Sequence, residues 1–319
     1  MKKNYSKLPM QIGILLAPLF TLAGILLQCV ILFGGYDADS GYFANAPLPV
    51  KLIPILFCVA ALTLFIYALA IRRNISPAPN NRGLTVLFSG AFLAVTLAVA
   101  AICTAFALHD TTDVYLRFIS IAVLVSEISS FIYMALTMRG DRLPALRAAL
   151  SVAPTVYALF AAMYLYFDKA MQMNAPVKLL QLAAYLMLAC YGLSECRNII
   201  GRKKPALNFF VMSLALILCG VASVPSIIYT AVYNTATVLT VAGDFVLFAF
   251  FLYLLARLFQ LLPSESPALH RMVGMILEKE ENTPVAEPEE EEELEQESFD
   301  FSAEEPQEET EENTAEETE

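Results

Sequence analysis

The sequence predicts an all-α fold, a polytopic bundle of about eight transmembrane helices with both termini in the cytoplasm. Three observations support this prediction. Hydrophobic residues make up 58% of the 319-residue chain, compared with roughly 45–50% in soluble domains. Eight apolar runs are each long enough to cross the hydrocarbon core of a bilayer, which takes about 20 helical residues. Basic residues concentrate in alternate connections, which is the pattern that orients membrane proteins.

The predicted spans follow one another through short connections that contain Gly, Pro and Asn, residues that end helices. We place the spans at 8–33, 51–71, 84–108, 115–138, 146–167, 177–196, 207–229 and 238–262. A cleaved signal peptide is the alternative for the first run. We expect this run to remain as a span, because it is long for a signal peptide. Residues 1–262 therefore form the predicted transmembrane domain.

The orientation follows from the distribution of charge. Sixteen of the twenty Lys and Arg fall on the side that holds the N-terminus, and the other side receives only Lys51, Arg117, Lys169 and Lys178. Cytoplasmic loops are enriched in Lys and Arg, so we call the first side inner and the second outer. Tyrosines gather at the outer boundary as a predicted aromatic belt: Tyr36, Tyr42, Tyr115, Tyr164, Tyr166, Tyr229 and Tyr233.

The C-terminal part of the chain has a different composition. Residues 263–277 predict a short amphipathic helix that lies in the inner interface. Residues 278–319 hold 21 acidic residues and one Lys. This segment has too few apolar residues to bury a core, so we expect a disordered acidic cytoplasmic tail. A cytoplasmic protein partner is the interaction that such a tail suggests.

Several functional classes receive no support from the sequence. All six cysteines lie within predicted spans, which favours a packing role over disulfides or zinc binding. We find no nucleotide-binding loop, no hydrolase motif and no metalloprotease motif. There is also no basic patch with interleaved aromatic residues, as nucleic-acid binding would need. We therefore expect neither an enzyme nor a bound cofactor.

Glu127 is the most informative polar residue, because it lies near the middle of the fourth span. A carboxyl at this depth is costly, and such groups usually face the interior of a bundle. Other polar residues recur on the same predicted helix and form a stripe with Glu127: Arg117, Ser120, Ser130 and Thr137. This stripe is predicted to face inward. It is either a proton or cation site or a structural group that is hydrogen-bonded to a neighbouring helix.

Two further acids lie within predicted spans. Asp244 in the last span has a depth comparable with that of Arg117, and we expect these two side chains to pair. Glu195 lies near the inner end of the sixth span, where it is expected to pair with Arg197 or reach the interface. Together, Glu127, Ser130, Arg117 and Asp244 form the candidate intramembrane polar site.

The outer connection 36–43 alternates acidic and aromatic residues, and His109, Asp110 and Asp113 lie on the same side. A cation site and a set of solvated turns are both open interpretations. The twelve-residue calcium-loop pattern is incomplete, because its last position is Leu48 instead of Glu. We therefore predict no metal site here.

The same connection, together with the segment from Pro154 to Glu195 and the basic turn after it, resembles a group of polytopic membrane proteins from Gram-positive bacteria. The resemblance covers about half of the chain. It implies a bacterial plasma membrane protein. Because the group has no assigned activity, it implies no site residues.

Two functions are consistent with these features. The first, weakly favoured, is a membrane anchor or signalling component whose acidic tail recruits a partner. The second is a proton- or cation-coupled transporter that uses Glu127 and Asp244. An anchor should be a closed apolar bundle, whereas a transporter should contain a polar cavity that reaches Glu127.

Overall fold

The structure is a computed structural model that describes residues 7–37, 42–43, 48–71, 83–139, 144–168, 175–202, 204–233 and 238–261. The helices in this part of the chain are α1 (Lys7–Phe33), α2 (Leu48–Ile71), α3 (Leu84–Asp110), α4 (Val114–Arg139), α5 (Pro144–Leu150), α6 (Ala153–Phe167), α7 (Pro176–Ile199), α8 (Pro205–Tyr233) and α9 (Val238–Phe259). Two strands, β1 (Tyr36–Asp37) and β2 (Tyr42–Phe43), pair antiparallel between α1 and α2. The predicted amphipathic helix and the acidic tail lie outside the described residues.

The predicted multi-pass helical fold is confirmed. Eight helical segments in the described residues are long and apolar enough to cross a membrane, when α5 and α6 are taken together as one. The predicted ends agree with the observed ones to within four residues. The side chains exposed on these helices include many large apolar residues, which suits a surface in contact with lipid.

The fifth span differs from the prediction because it is broken between α5 and α6. Pro154 lies in the first turn of α6 and lacks the N–H that would continue the hydrogen bonds of α5. Ser151 caps the end of α5, since its Oγ donates to the carbonyl oxygen of Ala148 at 2.6 Å. The Thr155 N–H then bonds to the Val152 carbonyl oxygen at 3.0 Å and begins α6.

Six helices form a closed ring. Around the ring, α3 packs on α4, α4 on α6, α6 on α7, α7 on α8, α8 on α9, and α9 again on α3. Helix α1 packs against the outside of the ring on α8, and α2 packs on α1 and α8. This arrangement places α8 between two layers of helices. In the most apolar 18-residue stretch of α8, 67% of the residues are buried, compared with 17% in the corresponding stretch of α2.

Aromatic residues cluster at the outer end of α1 and α8. The ring of Tyr229 lies 5.8 Å from that of Phe33 and 5.6 Å from that of Tyr36, and Tyr233 lies 4.7 Å from Tyr229. This cluster agrees with the predicted belt at Tyr36, Tyr229 and Tyr233. Tyr164 departs from it, because its side chain lines the interior of the helix ring.

Candidate functional site

A cavity of about 90 Å³ lies inside the helix ring. Five of the six ring helices contribute to its walls, and α8 supplies a hydrogen-bond partner to one wall residue. The polar groups of the lining are Thr104, Glu127, Asp168, Gln181, Thr240 and Asp244, together with Tyr157, Tyr164 and Tyr185. A single water needs roughly 10–15 Å³ on this measure, so the cavity has room for about six to nine water-sized groups.

The cavity runs from the outer end of the ring toward the middle of the predicted membrane. Asp168 and Thr240 lie at helix ends and are partly exposed. Asp244 and Glu127 are deeper, and their exposed fractions are only 2% and 3%. A small polar solute that enters from the outer end would therefore pass the rim at Asp168 and meet two buried carboxyl groups.

Asp244 is held by side chains from two neighbouring helices. Gln181 of α7 donates a hydrogen bond from Nε2 to Oδ1 at 2.8 Å, and Ser226 of α8 donates from Oγ to Oδ2 at 2.5 Å. These bonds explain how a carboxyl group is accommodated at this depth, where a buried polar group without partners is costly.

The predicted pair between Arg117 and Asp244 is wrong. Arg117 lies on the first turn of α4 and is exposed, whereas Asp244 faces the ring interior toward Gln181 and Ser226. The long side chain of an Arg near the end of a span can extend to the polar interface. Arg117 therefore has no need of a partner inside the bundle.

Glu127 is one of the residues that line the cavity. Its Oε2 is buried and accepts no hydrogen bond from the described residues. The rest of the predicted stripe, apart from Arg117, is also buried, which confirms that this face of α4 points inward. Ser120 and Thr137 donate to the carbonyl oxygens of Leu116 and Tyr133 on their own helix. Ser130 is fully buried and is not among the residues that line the cavity.

Gln181 provides a second buried hydrogen-bond acceptor in the cavity lining, in addition to Glu127. Its amide orientation is fixed because Nε2 donates to the Asp244 carboxyl group, which leaves Oε1 as the remaining polar atom. Within the described part of the chain, Oε1 has no hydrogen-bond partner, and the residue is 4% exposed. Gln181 was not among the predicted site residues, because an uncharged amide inside an apolar run gives a weak signal.

An aromatic layer lies at the inner part of the cavity wall. The ring of Tyr157 lies 6.3 Å from that of Phe250 at an angle of 18°, and 6.3 Å edge-on from Tyr185. Phe250 is on α9, further toward the inner end than Asp244. The cavity lining includes Tyr157 and Tyr185, and on α9 it extends no further than Leu247 within the described residues.

The inner half contains a buried ion pair. Arg257 of α9 binds Glu195 of α7 through Nη2 and Oε1 at 2.5 Å, and Tyr191 and Tyr253 interact with the pair. The expected partner of Glu195 was Arg197 or the interface, so this expectation is wrong. Glu195 and Arg257 lie on separate helices, α7 and α9, and both side chains face the interior of the helix ring. Distance along the sequence gave no indication of this contact.

Lys178 stabilises the rim of the cavity. It was assigned to the outer side, at the start of the sixth predicted span, and only 1% of its surface is exposed. Its Nζ donates to the backbone oxygen of Asp168 at 2.6 Å and so links the start of α7 to the end of α6. The ammonium group thus lies beside the mouth of the cavity and outside its lining.

A conventional metal site is not found in the described residues, where no three His, Cys, Asp or Glu side chains come together. The six cysteines are free. The central residues 38–41 of the acidic outer connection lie outside the described residues, so the described residues do not test the two interpretations of that connection.

No protein-family model matches the chain, and neither a curated protein nor a solved structure matches it. The resemblance to polytopic proteins of Gram-positive bacteria therefore stays a prediction, and the function is argued from the cavity.

Proposed function

We propose that this multi-pass membrane protein is a proton- or cation-coupled transporter of the bacterial plasma membrane, in which Glu127 and Asp244 bind the coupling ion. One observation carries the proposal. A cavity with a mainly apolar wall and several buried polar groups enters the helix ring from the outer end and reaches both of these intramembrane carboxyl groups.

The chemistry of the two acids supports an ion site. Ionisable residues inside spans are costly, and where they line a water-accessible cavity they commonly mark ion or proton pathways. Both oxygens of Asp244 accept hydrogen bonds, so this carboxyl group is rigidly placed. Glu127 lines the cavity, and its buried Oε2 has no hydrogen bond of ordinary length from a described residue. A carboxyl group in this setting can take up a proton or a cation and release it again.

The cavity supports one of the two functions that the sequence left open. A pure membrane anchor needs no interior polar space, and its bundle is expected to be closed and apolar. The anchor hypothesis rests on the acidic segment 278–319, which lies outside the described residues. The cavity therefore favours transport, and the tail keeps its suggested role in binding a partner.

The inner half of the ring supports a mechanism with alternating access. The cavity is open toward the outer end, while the aromatic layer and the Arg257–Glu195 pair close the inner end. Release of an ion to the inner side would require this pair to separate. The break before α6 and Pro225 within α8 are points at which the ring helices can bend.

Reconstitution into vesicles with an imposed proton gradient tests the proposal. We expect the wild-type protein to conduct protons above the level of empty vesicles and Glu127→Gln to abolish this flux, because Gln keeps the shape of Glu but binds no proton. Asp113→Asn is the matched control, since Asp113 lies outside the cavity lining and its role as acceptor for the Tyr115 N–H is retained by Asn. Equal flux from wild type and Glu127→Gln, or no flux above empty vesicles, would contradict the proposal.

A further inference from the structure

We infer that the cavity binds a small protonated amine, which donates hydrogen bonds to Glu127 and Gln181. This inference names a substrate class for the proposed transporter. The claim that the amine is also transported rests on the proposed function. Binding itself can be measured without transport, so the two claims can fail separately.

The first argument concerns which polar atoms still require partners. Glu127 Oε2 and Gln181 Oε1 are both buried acceptors that receive no hydrogen bond from the described part of the protein. The Thr104 hydroxyl is a third buried group of the lining; it lies beside Glu127, and no hydrogen bond of ordinary length joins the two side chains. Leaving such groups unsatisfied is costly, so a well-matched occupant must donate hydrogen bonds. An ammonium group carries three donors and no acceptor.

The second argument concerns charge. The lining contains the carboxyl groups of Glu127, Asp168 and Asp244, and its described residues include no Lys, Arg or His. Lys178 is close to the rim, and its ammonium charge offsets that of the Asp168 carboxyl group, so the negative charge of the deep part of the cavity comes from Glu127 and Asp244. The charge balance of the cavity thus favours a cation. With two deep acids, one can bind an organic cation while the other retains a proton.

The third argument concerns size and the apolar walls. The volume of about 90 Å³ suits a molecule of a few non-hydrogen atoms. Val123, Ala161 and Leu247 can contact a short alkyl chain, and the rings of Tyr157 and Tyr185 can interact with its positive charge. A hard metal ion instead requires about six or more oxygen ligands. The many apolar and aromatic wall atoms favour an organic cation over a metal ion.

The test is an equilibrium binding titration on the purified full-length protein in detergent, with propylammonium chloride as the probe. Sodium chloride, tetramethylammonium chloride and 1-propanol serve as comparators at matched concentration, because each lacks either the N–H donors or the charge. We expect saturable binding of propylammonium, and markedly weaker binding of the three comparators. Sodium or tetramethylammonium binding as strong as that of propylammonium would overturn the inference.

Matched variants locate the binding site. Glu127→Gln and Gln181→Leu should each weaken propylammonium binding by roughly tenfold or more, as expected for loss of a hydrogen bond to a charged group. Gln28→Leu is the control for Gln181, because Gln28 is a buried amide on α1 outside the ring. If the Gln181→Leu variant does not fold, Thr104→Val serves as the test variant instead. Its control is Thr96→Val, which changes a partly exposed threonine on the same helix.

Unchanged binding in Glu127→Gln, or equal loss in Thr104→Val and Thr96→Val, would overturn the inference. Propylammonium binding without proton flux in vesicles would support the amine site and contradict the transport proposal. Proton flux without propylammonium binding would overturn the amine site and leave the proposed function intact.

Discussion

Glu127 and Asp244 are both buried carboxyl groups, yet their surroundings give them different parts in the site. Asp244 has a hydrogen-bond donor on each oxygen, from Gln181 and Ser226, so its position is fixed by three helices. Glu127 lines the cavity, and its buried Oε2 accepts no hydrogen bond of ordinary length from any described residue. Asp244 therefore orders the wall, and Glu127 is the group with capacity for an additional ligand.

The buried Arg257–Glu195 ion pair at the inner end leads to a prediction about individual residues. Removing one partner of a buried pair leaves an uncompensated charge, which costs about 3–5 kcal/mol. We expect Arg257→Met to lower the free energy of unfolding in detergent by this amount. The double variant Glu195→Gln/Arg257→Met should lose less, because no buried charge remains without a partner. Denaturant titration of the purified variants measures both.

Arg117→Met is the control for this prediction, since Arg117 is an exposed arginine at the other end of the ring. Its effect should stay within about 0.5 kcal/mol. If the single and double variants lost the same stability, the charge of Glu195 would not be the source of the cost.

At the scale of the elements, α6 and α7 pack closely together at Gly192. A Cβ atom at this position would lie 2.4 Å from Thr155 Oγ1 and 3.1 Å from the Thr155 backbone nitrogen. The backbone of Thr155 is held by the start of α6, so it has little freedom to move. The glycine is thus required by helix packing, and the contact places α6 against the wall that carries Gln181.

We therefore expect Gly192→Ala to lower the free energy of unfolding by about 1–3 kcal/mol, the usual cost of overpacking. Gly90→Ala on α3 is the matched control. Its Cβ would meet only Met134 and Met138 at 3.6 Å, an ordinary contact distance, and Ala is favoured over Gly in a helix by about 1 kcal/mol. Thermal unfolding in detergent compares the two variants. Equal stability of both would contradict the close approach at Gly192.

The helices were largely predictable from the sequence, because each span is a local property of apolar length. The break before α6 was partly predictable, since Pro154 lies within the fifth span and removes a backbone donor. The ring was not predictable. Which helix packs beside which depends on contacts between distant parts of the chain, such as α3 with α9. Hydrophobic periodicity gives little information here, because these helices face lipid on one side and protein on the other.

The same limit explains what was missed at the site. Glu127 was recognisable because a carboxyl group in the middle of a span is rare. Gln181 and Ser226 became recognisable only when the fold placed them against Asp244. Arg257 lies near the end of a span, where an interfacial position is the ordinary interpretation of a basic residue. Its partner Glu195 is 62 residues away in sequence.

For the whole molecule, the account depends on a cavity that opens to the outside and attracts cations. Ala161 lies on its wall, whereas Thr112 is exposed on the connection between α3 and α4, outside the lining. A cysteine can be introduced at each position in a protein whose six native cysteines have been replaced. Cationic and anionic membrane-impermeant thiosulfonate reagents are then added to the outside of intact cells, with Arg202→Cys as the inner-side control that should not react.

For each variant we take the reaction rate of the cationic reagent divided by that of the anionic reagent. The decisive quantity is this ratio at Ala161→Cys divided by the ratio at Thr112→Cys. Because carboxyl groups in a confined site concentrate positive ions, we expect a value of at least about ten. The value should fall when Glu127→Gln is added to Ala161→Cys. A value of one, or no reaction of Ala161→Cys from outside, would contradict an outward-facing cation cavity.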